Sequence, residues 1–320
     1  MTPRAFAAPA WLRNPHLQTI YASLAARAPR LQWRRERWDT PDGDFVDVDF
    51  IDGPAGSPWV HLYHGLEGSS NSPYARVLMG HVQRRGWRGS VFHFRGCSGE
   101  PNRLPRAYHS GDSNEIDWSL KRIRQQAATA RVYAVGVSLG GNALAKWLGE
   151  TGARALEVTV RAAVVSAPLD LMAAGDALGQ GFALNYAKHF LETLKRSTLA
   201  KLEIHPGLVD REAVRRSRTL REFDNVVTAP LHGFRDTDDY WTRASAKPLL
   251  AAIRVPTLIV NARDDPFLPE PALPTQLEVS SAVKLEFPAR GGHVGFVSGP
   301  FPGNVDWLPT RILHFFEHLQ

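Results

Sequence analysis

Between Phe45 and Ile51 the chain alternates apolar and acidic residues as Phe-Val-Asp-Val-Asp-Phe-Ile, the period-two pattern of a strand with one face in water. A half-exposed edge strand is expected there. Trp59–Tyr63 and residues 90–94 are short, nearly unbroken apolar runs that predict buried strands, and the helical spacing over 74–83 separates them. A second helical stretch, at about 113–130, leads into the apolar run Val132–Val137, after which residues 139–150 return to helical spacing. Residues 161–166, Thr257–Val260 and 283–287 are further β-branched runs, and a last helix is expected over 306–319. Strands buried on both faces and alternating with helices predict an α/β class with a mostly parallel central sheet flanked by helices.

Two stretches fall outside that alternation. From 170 to 246 the spacing is helical, with Phe182, Tyr186, Phe190, Leu191 and Leu194 on it, and a structureless loop of that length would be unusual in a compact domain. We read it as a helical cap inserted between two parts of one catalytic domain, 41–169 and 247–320. Residues 1–40 form an N-terminal arm packed on the core, in which Trp11, Leu12, Leu17, Ile20, Tyr21 and Leu24 recur at near-helical spacing between prolines. There is no internal repeat.

The chemistry concentrates at strand ends. Gly136-Val137-Ser138-Leu139-Gly140 follows a buried apolar run and opens a helix, the strand-turn-helix setting of a G-x-S-x-G nucleophile elbow. A serine hydroxyl is a poor nucleophile at neutral pH, so it needs a base, and the base needs a third group to orient it. His293, flanked by glycines in Gly291-Gly292-His293-Val294-Gly295 just after the last expected strand, is the favoured base. The acid follows Thr257–Val260 in Asn261-Ala262-Arg263-Asp264-Asp265-Pro266, where two adjacent aspartates compete. Adjacent side chains point apart, so one alone can reach the histidine; Asp265, in a rigid Asp-Pro-x-x-Pro loop, is preferred, and Asp264 is expected to act as a structural cap. The order serine, aspartate, histidine matches α/β-hydrolases. An oxyanion needs two backbone amides: Leu139 supplies the first, and His64-Gly65-Leu66-Glu67-Gly68, just after a strand, offers the Leu66 amide as the second.

Composition narrows the alternatives. The 320 residues are 43% hydrophobic, enough for a large core, and 38 Lys and Arg against 32 Asp and Glu leave a net charge of only +6. The groups Arg34, Arg35, Arg37 and Arg215, Arg216, Arg218 form no long basic run with interleaved aromatics, so a nucleic-acid partner is not expected. Solvated helix faces are the first reading of them, and peripheral contact with an anionic membrane or an anionic substrate the second. One cysteine, Cys97, allows no intrachain disulfide, and the N-terminus lacks a sustained apolar stretch; a cytoplasmic location and no membrane-spanning segment are expected. No metal or organic cofactor is expected: H-E-x-x-H and Walker motifs are absent, and His61 and His64, three apart, would face opposite sides of a strand. Cys97 is read as a loop residue, and the Arg95-Gly96 loop as part of the pocket wall.

Further stretches carry a family likeness. His64-Gly65-Leu66-Glu67-Gly68-Ser69-Ser70-Asn71-Ser72, residues 94–102 and Ser138-Leu139-Gly140-Gly141-Asn142 resemble the YheT-like α/β-hydrolases, the AB hydrolase 4 family. Asn14-Pro15-His16-Leu17-Gln18-Thr19, Ala229-Pro230-Leu231-His232-Gly233-Phe234, 261–266 and 291–296 add to it, so the likeness runs nearly end to end. It implies an α/β-hydrolase fold and a carboxylic-ester hydrolase with its triad on Ser138, Asp265 and His293, acting on a small-molecule or lipid ester. It leaves the substrate open. A catalytically inactive binding protein on the same fold, or an amidase or thioesterase with the same triad, are the alternatives.

Overall fold

A computed structural model describes residues 4–25 and 27–318. The expected arm and the expected last helix each include positions outside that set, 1–3 and 26 in the first and 319 in the second. In chain order the first half contains α1 (Pro15–Leu24), β1 (Arg34–Asp39), β2 (Phe45–Ile51), β3 (Trp59–Tyr63), α2 (Pro73–Arg84), β4 (Arg88–Phe92), α3 (Ser113–Ala127), β5 (Val132–Val137) and α4 (Leu139–Thr151). There follow β6 (Arg161–Val165), α5 (Leu171–Leu178), α6 (Leu184–Ile204), α7 (Arg211–Arg216), α8 (Leu220–Val226), α9 (Thr228–His232) and α10 (Thr237–Ala244). β7 (Thr257–Val260), β8 (Val283–Glu286) and α11 (Trp307–Glu317) complete the chain.

The strands form one eight-stranded sheet in the order β1-β2-β4-β3-β5-β6-β7-β8. β1, β2 and β4 pair antiparallel, and every other pairing is parallel. β3, β5 and β7 are buried along their whole length because helices cover both faces. α3 and α4 place Ile116, Leu120, Ile123, Leu144 and Leu148 on one face, while α2 and α11 place Leu78, Met79, Val82, Ile312 and Phe316 on the other. Parallel crossovers put the carboxyl ends of β3, β5, β6 and β7 at one edge, where the loops carrying chemistry collect.

Between β6 and β7 the chain leaves the sheet for six helices, four of them opened by side-chain caps. Asp170 accepts from Ala173 N, Asp210 from Glu212 N and Ala213 N, Thr219 from Glu222 N, and Asp236 from Asp239 N. The long helical pattern in the sequence is therefore six separate helices, of which α6 runs 21 residues and the others five to eight.

The sheet edge differs from the sequence-based expectation. β2 is not a half-exposed edge strand: all seven residues are buried, and β1 lies outside it as the edge. The acidic residues of β2 stay in the interior because β1 brings arginines to them. Asp47 accepts two hydrogen bonds from Arg37 at 2.9 and 3.0 Å, and Asp49 accepts from Arg35 at 2.7 and 2.8 Å, from Ser70 Oγ at 2.6 Å and from His93 Nε2 at 2.9 Å. Arg34, Arg35 and Arg37 thus sit on a strand and not on a solvated helix face, and the expected arm contributes a strand to the sheet. Burial opposes the charge on Asp49, yet the bonds from Arg35, His93 and Ser70 hold its carboxyl well below the usual range. Its stabilising contribution is therefore present above the unfolded carboxylate pKa and lost in strong acid. Removing one partner from a buried charged set costs about 3–5 kcal/mol. Asp49→Ala is expected to lower unfolding stability by about that amount, read as a shifted urea midpoint at unchanged slope; a midpoint within error of wild type would show that the cluster is not stabilising.

Candidate active site

Ser138 directly follows β5 and precedes α4, with φ 52° and ψ −121°. A non-glycine residue there stores about 1–3 kcal/mol of backbone strain, held by its neighbours. Its N–H donates to the Val165 carbonyl of β6 at 2.8 Å, and the Gly140 N–H donates to the His64 carbonyl at 3.2 Å. The glycines of the motif are needed for backbone approach: a Cβ on Gly140 would stand 2.5 Å from His64 O, and one on Gly136 2.4 Å from Gly140 O.

The structure brings the other two predicted side chains to this turn. His293 Nε2 lies 3.0 Å from Ser138 Oγ, and its Nδ1 lies 2.9 and 3.2 Å from the two Asp265 oxygens. An ionised carboxylate only accepts, so Nδ1 carries the proton and Nε2 is left to accept from the serine hydroxyl. Asp265 is buried and also accepts from the Phe267 N–H at 2.9 Å, while the Phe267 ring stacks on the imidazole at 4.0 Å between centroids. Asp264 points elsewhere: its Oδ1 accepts the Gly292 N–H at 3.0 Å, tying the aspartate loop to the histidine loop. The two aspartates thus take different partners, Asp265 the imidazole and Asp264 a backbone amide. Such a chain can take a proton from Ser138 and return it to a leaving group.

The Leu66 and Leu139 amides both border the same space. Around Leu66 the neighbouring amides are occupied: Gly65 N donates to the Tyr74 hydroxyl and Glu67 N to the Tyr108 hydroxyl, each at 2.8 Å. The Leu66 N–H itself donates to no protein group among the described residues, nor does that of Leu139 in the first turn of α4. Two amides without a protein acceptor thus border the space beside the Ser138 hydroxyl. The tyrosines that fix this loop were not singled out in the sequence, because Tyr108 lies far from any recognisable motif.

A cleft of about 860 Å³, partly open to solvent, rises from Ser138 and His293 between Leu66, Leu139, Leu171, Phe190, Leu194, Phe223, Trp241, Phe267 and Leu268. Its walls are mostly apolar. Asp224 is an exception, half-buried with its oxygens accepting from Thr228 Oγ1 at 2.5 Å and Trp241 Nε1 at 2.8 Å. Burial pushes its carboxyl up to about 6, against the pull of those two hydrogen bonds. Of the aromatic residues between 170 and 246, Phe190, Phe223, Tyr240 and Trp241 line the cleft, while Phe182 is exposed and Phe234 packs on His109 and Tyr240. Asn142, one turn after the serine, fixes the cleft's floor: its amide donates to Ser110 O and Ala244 O and accepts from Ala246 N, so it ties α4 to the end of α10.

Two expectations about the surroundings need correction or refinement. Arg95 is not pocket wall; its guanidinium is buried and pairs with Asp42, Asp44 and Glu115, since a charge at that depth requires acidic partners. Cys97 is half-buried, and burial pushes its thiol well above the ordinary value, which leaves it a poor nucleophile. His61 and His64 serve separate partners, Ser90 Oγ at 2.7 Å and the Phe94 N–H at 3.1 Å. No helix among the described residues is long and apolar enough to cross a membrane.

Known proteins agree with this architecture. The α/β-hydrolase-fold family matches residues 58–300. The chain is 41% identical over 305 residues to the "Putative esterase YheT" of Escherichia coli (strain K12), covering 93% of this chain and 89% of that one. It is 29% identical over 317 residues to mouse "Phospholipase ABHD3", covering 96% of this chain and 77% of that one. Among solved structures, an esterase of Pyrococcus furiosus, Pf2001, superposes with a TM-score of 0.59 over 99% of this chain and 96% of its own, at 14% identity, a likeness of fold alone. Sheet order, sequence match and fold agree, and the chain belongs to the α/β-hydrolase family, among its YheT-like members.

Proposed function

We propose that the protein is a serine carboxylic-ester hydrolase working through an acyl-enzyme, with Ser138 as nucleophile, His293 as general base and acid, and Asp265 as the group that orients the imidazole. The observation that carries the reading is the continuous hydrogen-bonded path from Asp265 through His293 to Ser138 at the floor of a largely apolar cleft. As Ser138 Oγ attacks the acyl carbon, its proton passes to His293 Nε2, and Asp265 stabilises the imidazolium. The carbonyl oxygen takes up negative charge facing the Leu66 and Leu139 amides. His293 then protonates the departing alkoxide, and water, deprotonated by the same nitrogen, releases the acid and regenerates the serine. The helical insertion between β6 and β7 acts as a cap whose Phe190 and Trp241 wall the acyl site. Relatives named as an esterase, a phospholipase and a monoacylglycerol lipase support the ester as the bond attacked.

Hydrolysis of p-nitrophenyl esters from acetate to palmitate is expected to depend on Ser138, with Ser138→Ala at background and a fluorophosphonate labelling only the wild-type serine. Ester turnover that survives in the mutant would refute the assignment. Asp265→Asn forces the imidazole toward the wrong tautomer and is expected to lower kcat by about 10⁴-fold, as an aspartate-to-asparagine change does in other serine triads. Asp264→Asn keeps an oxygen for Gly292 N and is expected to cost less than about tenfold; kcat values in the opposite order would exchange the roles. Asp224 places a carboxylate where a hydrocarbon chain would lie, at a desolvation cost of about 1–3 kcal/mol. Asp224→Leu is therefore expected to raise kcat/KM for long acyl esters relative to acetate by about tenfold or more, and an unchanged ratio would place the acyl chain elsewhere.

A further inference from the structure

The stretch Asn14-Pro15-His16-Leu17-Gln18-Thr19 stands out in the sequence, and nothing in the proposed chemistry uses it. In the structure it forms the start of α1, opened by Asn14, whose side chain accepts the Leu17 N–H, and by Pro15 at the first helical position. α1 lies against the loop that carries His293. Thr19 Oγ1 accepts the His293 backbone N–H at 2.9 Å and donates to the Pro15 carbonyl at 2.8 Å. Gln18 is fully buried: its Nε2 donates to Leu12 O and Val297 O at 2.9 and 3.1 Å, and its Oε1 accepts the Val297 N–H at 2.8 Å. The side-chain amide of Gln18 thus substitutes for a neighbouring strand, pairing both polar groups of Val297.

The loop needs such a brace. Val294 and Phe296 both hold positive φ, 56° and 45°, which non-glycine residues keep only where the surroundings over-determine them. Glycines beside the histidine make room for the brace: a Cβ on Gly292 would stand 2.6 Å from Pro15 O and 2.7 Å from Thr19 Oγ1, and one on Gly295 2.8 Å from Gln18 O. A helix some 275 residues earlier in the chain therefore crowds two of these glycines, Gly292 and Gly295, whereas Gly291 faces Phe296 and Ala262.

Resting on the function proposed above, we propose that Thr19 and Gln18 are positioning residues, which hold the strained histidine loop so that His293 Nε2 stays within reach of Ser138. A displacement of about 1 Å at a reacting group can cost about 100-fold in rate. The closing experiment uses the full chain with Thr19→Val, which keeps shape but removes the acceptor, Thr19→Ser, which restores it, and Gln18→Met, which releases Val297. For each, kcat and KM on a short p-nitrophenyl ester, the rate of fluorophosphonate labelling at Ser138 and the melting temperature are measured. The expected result is a fall in kcat and in labelling rate of about tenfold or more for Thr19→Val, with KM within about twofold and Thr19→Ser close to wild type. Should Thr19→Val not fold, Gln18→Met carries the same comparison. Folded variants that label and turn over like wild type, or a loss that serine does not rescue, would overturn the positioning role and leave the esterase reading standing. Failure of the wild type to label at all would remove that reading and this one with it.

Discussion

The left-handed backbone of Ser138 is the constraint around which the surrounding structure is arranged. At φ 52° the residue lifts its hydroxyl clear of β5 and points it at the carboxyl end of the sheet. Holding it there requires β3, β5 and α4 to pass within contact distance, which only glycine at 136 and 140 permits. The same crossing brings the turn after β3 alongside the serine, so the loop bearing the Leu66 amide is fixed by the geometry that fixes Ser138. Strain at one residue is thereby shared among many backbone contacts.

Positions farther out are set by buried charge. Asp44, Asp47 and Asp49 lie in the interior, yet each meets a partner: Arg95 and Asn102 for Asp44, Arg37 for Asp47, Arg35 and His93 for Asp49. Because an unpaired charge at such depth is far more costly than a paired one, the set specifies where the loops after β3 and β4 must sit. Lys201 of α6 extends it across to the insertion, donating to Asn102 Oδ1 at 2.5 Å and to the carbonyls of Leu104 and Arg106 at 3.0 and 2.8 Å. Burial brings the Lys201 ammonium down to about 8, a cost offset by its three acceptors. The insertion is thus tied to the core at two places, at α6 by Lys201 and at the end of α10 by Asn142.

The cleft itself combines apolar walls with few polar groups. Leu171, Phe190, Leu194 and Phe223 form an apolar wall, while Ser138, His293 and the two loop amides border the same space at its base. Asp224, held by Thr228 and Trp241, interrupts that apolar surface from the side of the insertion. The walls of the cleft therefore come largely from the insertion, from α5, α6, α8 and α10, whereas Ser138 and His293 stand on loops at the carboxyl end of the sheet.

The central strands and the elbow were legible in the sequence because their signals are local: five continuous apolar residues make β3, and Gly-x-Ser-x-Gly after β5 makes the turn. Asp265 could be preferred over Asp264 from its proline-rich loop, and in the structure Asp265 lies on the imidazole and Asp264 on the Gly292 amide. What could not be read was any feature whose partner is distant in the chain. Phe-Val-Asp-Val-Asp-Phe-Ile looks half exposed because nothing near it reveals that the arginines of β1 will cover its acids. Arg95 looked like pocket wall because Asp44 and Glu115 are far from it in sequence. Nothing near His293 in sequence reveals that Gly292 and Gly295 mark the seat of α1, hundreds of residues away. Periodicity and turn chemistry are written in neighbouring residues, so the sequence by itself determined the class of fold and singled out Ser138, Asp265 and His293 as candidates; burial and charge pairing join remote segments, so only the tertiary structure decided how those side chains are braced.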